Sequence, residues 1–98
     1  MAQRSLMLPA ILTAATTASS EAALRRSLAS LPAGTPVVLD AAHVQTFDSA
    51  GLALLLACRR QALAQGRDFQ VQGCSRSLSD LAQMYGVWQL LNPAAAAA

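Results

Sequence analysis

Apolar residues recur along this chain in two rhythms. From Asp68 to Gln72 they alternate, with Phe69 and Val71 set against Asp68, Gln70 and Gln72, the period of a strand with one buried face, and Gly73 closes it. Pro36-Val37-Val38-Leu39-Asp40 is instead a short unbroken apolar run rich in β-branched residues, which suits a buried strand. Leu24, Leu28 and Leu31 recur at the i, i+4, i+7 spacing of a one-faced helix. Thr16 to Ser20 offers it several N-caps, and Pro32, Gly34 and Pro36 end it. Ser77-Leu78-Ser79-Asp80 reads as a capping box. Leu78, Leu81, Ala82 and Tyr85 then form the inward face of a short last helix ended by Gly86. Val87, Trp88, Leu90 and Leu91 are expected to fold back as a lid on the core. Ser5 to Thr13 reads as two short strands, or one bent pair, turning at Pro9-Ala10.

At the centre stands Phe47-Asp48-Ser49-Ala50-Gly51-Leu52, a polar turn that runs directly into an apolar helix from Leu52 to Gln65, with Gly66 just past its end. Asp48 or Ser49 can cap that helix by accepting from the orphan amides of its first turn, at the positive end of its dipole. Val44 and Phe47 are the expected inward anchors of the connector before it. At about 100° per residue, Leu52, Leu55, Leu56, Arg59 and Leu63 fall on one stripe, expected to face the sheet with Arg59 reaching past its edge. Ala50, Leu54, Ala57 and Gln61 fall on the opposite stripe. That second stripe is either a smooth apolar patch for another protein or an ordinary exposed face of an Ala-rich helix.

Strand, helix, strand, helix with short links predicts a small sheet whose helices pack on one face, since 98 residues cannot cover both. One small domain is expected over 1–92. Pro93 and the five Ala after it, residues 93–98, are expected to form a disordered tail. Hydrophobic residues make up 54% of the chain, but Ala dominates that share, and the aromatics are only Phe47, Phe69, Tyr85 and Trp88, so the core should be built from Leu and Val. The net charge of +2 rests on seven Arg and no Lys, too few and too scattered for a nucleic-acid footprint. Leu6 to Leu12 is too short and too interrupted for a membrane span or a targeting segment, which leaves a cytoplasmic chain as the expectation.

No catalytic constellation is expected, and the chain is read as a non-enzyme. Ser49 beside Asp48 lacks a base, because the lone His43 has no Cys, Asp or Ser at a catalytic spacing. No glycine loop for phosphates is present. Cys58 and Cys74 have neither metal nor redox-pair spacing and read as reduced thiols, so neither cofactor nor metal is expected.

The order of elements, with Val37-Val38-Leu39-Asp40, Val44, Phe47-Asp48-Ser49-Ala50-Gly51-Leu52 and Gly66, resembles the STAS domain family over nearly the whole chain. Gly51-Leu52-Ala53-Leu54-Leu55-Leu56, Gln65-Gly66-Arg67 and Leu81-Ala82-Gln83-Met84-Tyr85 are most similar to its MlaB-like branch, cytoplasmic subunits of the Mla phospholipid ABC transporters. The resemblance implies an α/β, single STAS-like domain with a small mixed sheet of about four strands. It further implies docking on a MlaF-like ATPase subunit at the inner membrane without membrane insertion, with self-association possible when that partner is absent. On that reading Asp48, Ser49, Ala50, Leu54, Ala57 and Gln61 form the partner surface, and Ser49 stands where MlaB-like proteins carry a functionally important Thr. The same family includes anti-sigma-factor antagonists switched by phosphorylation, the alternative function. Their modified Ser or Thr directly precedes the Gly, and here that position is Ala50.

Overall fold

The apolar run at Val37–Asp40 lies in the middle of the sheet, paired on both sides. A computed structural model of the chain describes residues 5–92; positions 1–4 and the Ala-rich tail at 93–98, expected to be disordered, lie outside the described residues. In chain order the elements are β1 (Ser5–Met7), β2 (Ile11–Leu12), α1 (Thr17–Ala29), β3 (Val37–Asp40), β4 (Thr46–Phe47), α2 (Ser49–Ala64), β5 (Phe69–Gln72), α3 (Arg76–Met84) and α4 (Trp88–Leu91). β1, β3 and β5 form one sheet in the order β1-β3-β5, and β2 pairs with β4 in a second ladder. The α/β class with a small sheet is observed. Among the described residues the few strands divide into a three-stranded sheet and a two-stranded ladder, and where a mixed sheet was expected each pairing is parallel, because a crossover rather than a hairpin joins the paired segments. Ser5 to Thr13 does hold two strands, but they do not pair with each other: β1 joins β3, β2 joins β4, and Pro9 stands between them.

Register divides the sheet into two faces. Leu6, Leu39 and Val71 are neighbours, as are Val37 and Phe69, and alternation puts all five on one side. Val37, Leu39, Phe69 and Val71 belong to the same buried cluster as Leu24, Leu28, Leu52, Leu55, Leu78 and Leu91, so the helices cover this face. The other face carries Ser5, Met7, Asp40, Gln70 and Gln72 around Val38, as expected of a chain too short to bury both.

The wheel expected for the central helix needs correction. α2 buries Gly51, Leu52, Leu54, Leu55, Cys58 and Ala62, while Leu63 is 47% exposed and Leu56 and Arg59 are only partly covered. The physical reason is that α2 packs on α1 and α4 as well as on β4 and β5, so its buried arc is wider than one stripe and is turned toward α1. Leu54, expected on an exposed stripe, is 3% exposed.

α3 begins at Arg76, earlier than the capping box suggested, because Ser75 Oγ accepts the Leu78 amide at 3.2 Å. Tyr85, expected inward, is 53% exposed at the helix end, and Leu78 and Ala82 carry the buried face. The apolar end folds back as expected: Leu91 is buried, with Val87 and Trp88 packed against the core. Arg67 is the one buried charged side chain among the described residues. Its guanidinium donates to Pro32 O and Thr35 O at 2.8 Å each, to Leu31 O at 3.1 Å and to Gln65 Oε1 at 2.8 Å. A cation thereby satisfies the carbonyls just beyond the negative end of α1 and ties that turn to the start of β5.

Candidate docking site

The turn before α2 is built around Asp48. Its backbone is extended, its Oδ1 accepts from the Gly51 amide at 3.1 Å, and its Oδ2 accepts from the Ala14 amide at 3.1 Å. One carboxylate thus caps α2 and also pins the loop between β2 and α1. The amides of Ala14 and Gly51, in that order, hold the carboxyl below its ordinary range, since both bonds favour the charged form. Thr16 closes the same loop: its hydroxyl accepts from the Thr13 amide at 3.1 Å and donates toward Ile11 O at 3.0 Å. That hydroxyl is therefore engaged away from its own helix, and α1 begins without the side-chain cap expected from the Thr and Ser run.

Gly51 explains why the turn carries a glycine inside the first turn of a helix. A Cβ there would run into the carbonyl of Leu12, so only glycine lets α2 approach β2 this closely. The β2-β4 ladder, Ile11 with Thr46 and Leu12 with Phe47, sets that approach.

With both carboxylate oxygens of the partly exposed Asp48 engaged by backbone amides and Gly51 buried, Ser49 is the exposed polar residue at the helix tip. Beyond it a shallow groove between α1 and α2 is lined by Thr17, Glu21, Ala50, Ala53, Leu54 and Ala57. Ala50, Ala57 and Gln61 are partly exposed on this side, as expected. Leu54 forms the buried floor of the groove rather than a projecting contact. Sequence reasoning missed Ala53, Thr17 and Glu21. Ala53 lies one residue from Leu54, and only the turn of α2 toward α1 brings it to the rim. The α1 contribution has no signal in the Leu24, Leu28, Leu31 pattern, which marks only that helix's inward side. Glu21 is held by Arg25 at 2.7 Å in an exposed pair.

This geometry offers a hydroxyl, a small-residue groove and a polar rim, a surface suited to contact. His43 is exposed on a separate loop, and no group of three or more metal-ligating side chains occurs among the described residues. Cys58 lies within the core, where burial pushes its thiol up to about 11. No helix among the described residues is long and apolar enough to cross a membrane. No curated protein matches the chain. A family model described as "Mlab, STAS domain" matches residues 11–92, from β2 through α4 and across the whole Asp48 turn. That span holds the β2-β4 and β3-β5 ladders, the Asp48 turn and the glycine under Leu12, and this chain belongs to the family of MlaB-type STAS domains.

Proposed function

We propose that this chain is the non-catalytic STAS subunit that docks on and supports the ATPase of a phospholipid ABC transporter maintaining outer-membrane lipid asymmetry. The observation that carries the reading is the coincidence of an MlaB-type family match with an exposed Ser49 at the head of the α1-α2 groove. An apolar centre with a hydrogen-bonding edge is the ordinary anatomy of a protein interface. Asp48, Ser49, Ala50, Ala53, Ala57 and Gln61 form the surface, with Leu54 supporting it from below. The subunit works in the cytoplasm, peripheral to the inner membrane through its MlaF-like partner.

The antagonist reading is disfavoured by Ala50, which leaves no hydroxyl directly before Gly51. The experiment is co-purification with an ABC ATPase encoded beside this chain, comparing the wild type with Ser49→Arg and Ser49→Thr. Ser49→Arg is expected to fold normally and to lose the complex together with its stimulated ATP hydrolysis, while Ser49→Thr retains both. A wild-type chain that fails to bind the ATPase, or a Ser49→Arg chain that binds it at full strength, would overturn the proposal. Stoichiometric phosphate on Ser49 after incubation with an anti-sigma kinase would favour the antagonist instead.

A further inference from the structure

The solvent side of α2 carries one charge that nothing in the chain answers. At about 100° per residue, Ser49, Ala53 and Arg60 fall on one narrow stripe of the helix, at i, i+4 and i+11, and all three are exposed. Arg60 therefore continues the surface headed by Ser49, roughly 16 Å further along the helix at 1.5 Å per residue. It stands beside the partly exposed Ala57 and Gln61.

α2 contains no acid, so the positions one turn from Arg60, which are Leu56, Ala57, Leu63 and Ala64, cannot pair with it. The chain has five acids, all among the described residues, and one of them, Glu21, forms an ion pair, with Arg25 at 2.7 Å. Asp40 accepts from the Ala42 amide, and Asp48 from those of Ala14 and Gly51. The other arginines of the two helices point elsewhere. Arg26 lies about 140° around α1 from Glu21, and Arg59 lines a crevice with Leu63 and Phe69 at the start of β5. With Glu21 and Arg25 cancelling, the face of the α1-α2 groove is left with a net positive charge at Arg60.

We propose that the partner sets an acidic side chain, Asp or Glu, against Arg60. The inference rests on the docking reading above and adds the charge of the ATPase surface and where along α2 it falls. A neutral or basic partner lying over this stripe would strip water from the guanidinium and return nothing, whereas a carboxylate can accept two parallel bonds from its fork. Charges are screened over about 8 Å at physiological salt, so a contact at Arg60 acts independently of the hydrogen-bonding contact at Ser49. Two separate contacts fix the direction in which the partner lies along the groove, where Ser49 alone would leave it free to turn.

The test is the rate and affinity of association between the purified chain and the purified ABC ATPase encoded beside it, followed by biolayer interferometry over a range of salt. Wild-type association is expected to slow as salt rises. Arg60→Glu should melt like the wild type and weaken binding about tenfold or more at low salt, with the loss shrinking at high salt. Arg60→Lys keeps the charge and should associate at nearly the wild-type rate. Should Arg60→Glu melt lower, Arg60→Gln makes the same test with a smaller expected loss. Arg76→Glu makes the same change of net charge on α3, outside the groove, and should leave binding unchanged. If Ser49→Arg loses the complex while the Arg60 variants bind at full strength, the acidic contact falls and the docking reading stands. A wild-type chain that does not bind the ATPase overturns both. Equal weakening by Arg76→Glu, which would make the effect one of net charge alone, also overturns the proposal. So does a dimer of the isolated chain in sedimentation velocity that Arg60→Glu abolishes, which would give the surface to a second copy.

Discussion

The carboxylate of Asp48 holds the backbone amide of Ala14, 34 positions earlier in the chain, at 3.1 Å. Its other oxygen caps α2 through Gly51. Asp48→Ala removes both bonds, and a lower melting temperature is expected. Asp48→Asn keeps one acceptor and should fall between the wild type and the alanine variant by calorimetry.

The same carboxylate makes stability depend on acid. Folding lowers its pKa, so protons bind the unfolded chain more tightly, and the contribution is present in full above the unfolded value of about 3.9. It is lost as pH falls through the lower folded value. Urea midpoints measured across this range should fall with acid more steeply in the wild type than in Asp48→Asn, which cannot titrate there.

Gly51→Ala should destabilise despite alanine's better helix propensity. The propensity gain is at most about 1 kcal/mol, whereas the new methyl meets the Leu12 carbonyl and must push α2 off β2. Overpacking of this kind costs about 1–3 kcal/mol or more, and against backbone the larger end is expected. A chemical denaturation midpoint equal to or above the wild type would contradict it.

Leu54 and Ala53 are adjacent and should fail in different ways. Leu54 is buried between α1 and α2, so Leu54→Ala should cost about 2–5 kcal/mol, and Leu54→Asp should prevent soluble expression. Ala53 is exposed on the groove rim. Ala53→Asp should melt like the wild type and weaken capture of the ATPase. Thermal melts paired with pull-downs separate the two, and normal melting of Leu54→Asp would sink the assignment.

Arg67→Ala strips hydrogen bonds from Leu31, Pro32 and Thr35 at once. Bonds to a charged donor are worth roughly 1.5–3 kcal/mol each, partly recovered by water at this turn, so a net loss of about 2–4 kcal/mol is expected. Arg67→Lys should not rescue it, since one ammonium cannot reproduce the fork. Hydrogen exchange should localise the loosening to residues 31–35.

Much of the fold was legible because it is written in local pattern. The β-branched run at Val37 and the alternation at Phe69 are strands, and Asp48 caps the helix it precedes. What the pattern could not carry was direction. Leu54 and Leu63 have the same side chain, and their burial is decided by which neighbours α2 touches, a property of the assembled layers rather than of its own periodicity. Tyr85 misled for a related reason: it falls on the right wheel position but at the helix end, past the last turn that meets the core. Ser49 at the candidate site could be picked out by its place in the turn. The α1 half of the groove, Thr17 and Glu21, became visible only when two helices distant in sequence were brought side by side.

The parallel pairing has a consequence for how the chain reaches its native state. β1 finds β3, β2 finds β4 and β3 finds β5 only after an intervening segment that contains a helix has been spanned, so among the described strands no hairpin is available as an early local nucleus. Loop closure must precede the rewarding contacts in every ladder, which places this small domain among slower folders than a helical bundle of its size. β3 is shared by two of the ladders. Truncating Leu39 should therefore retard refolding in stopped-flow measurements, whereas truncating Leu91 in the terminal lid should act chiefly by hastening unfolding.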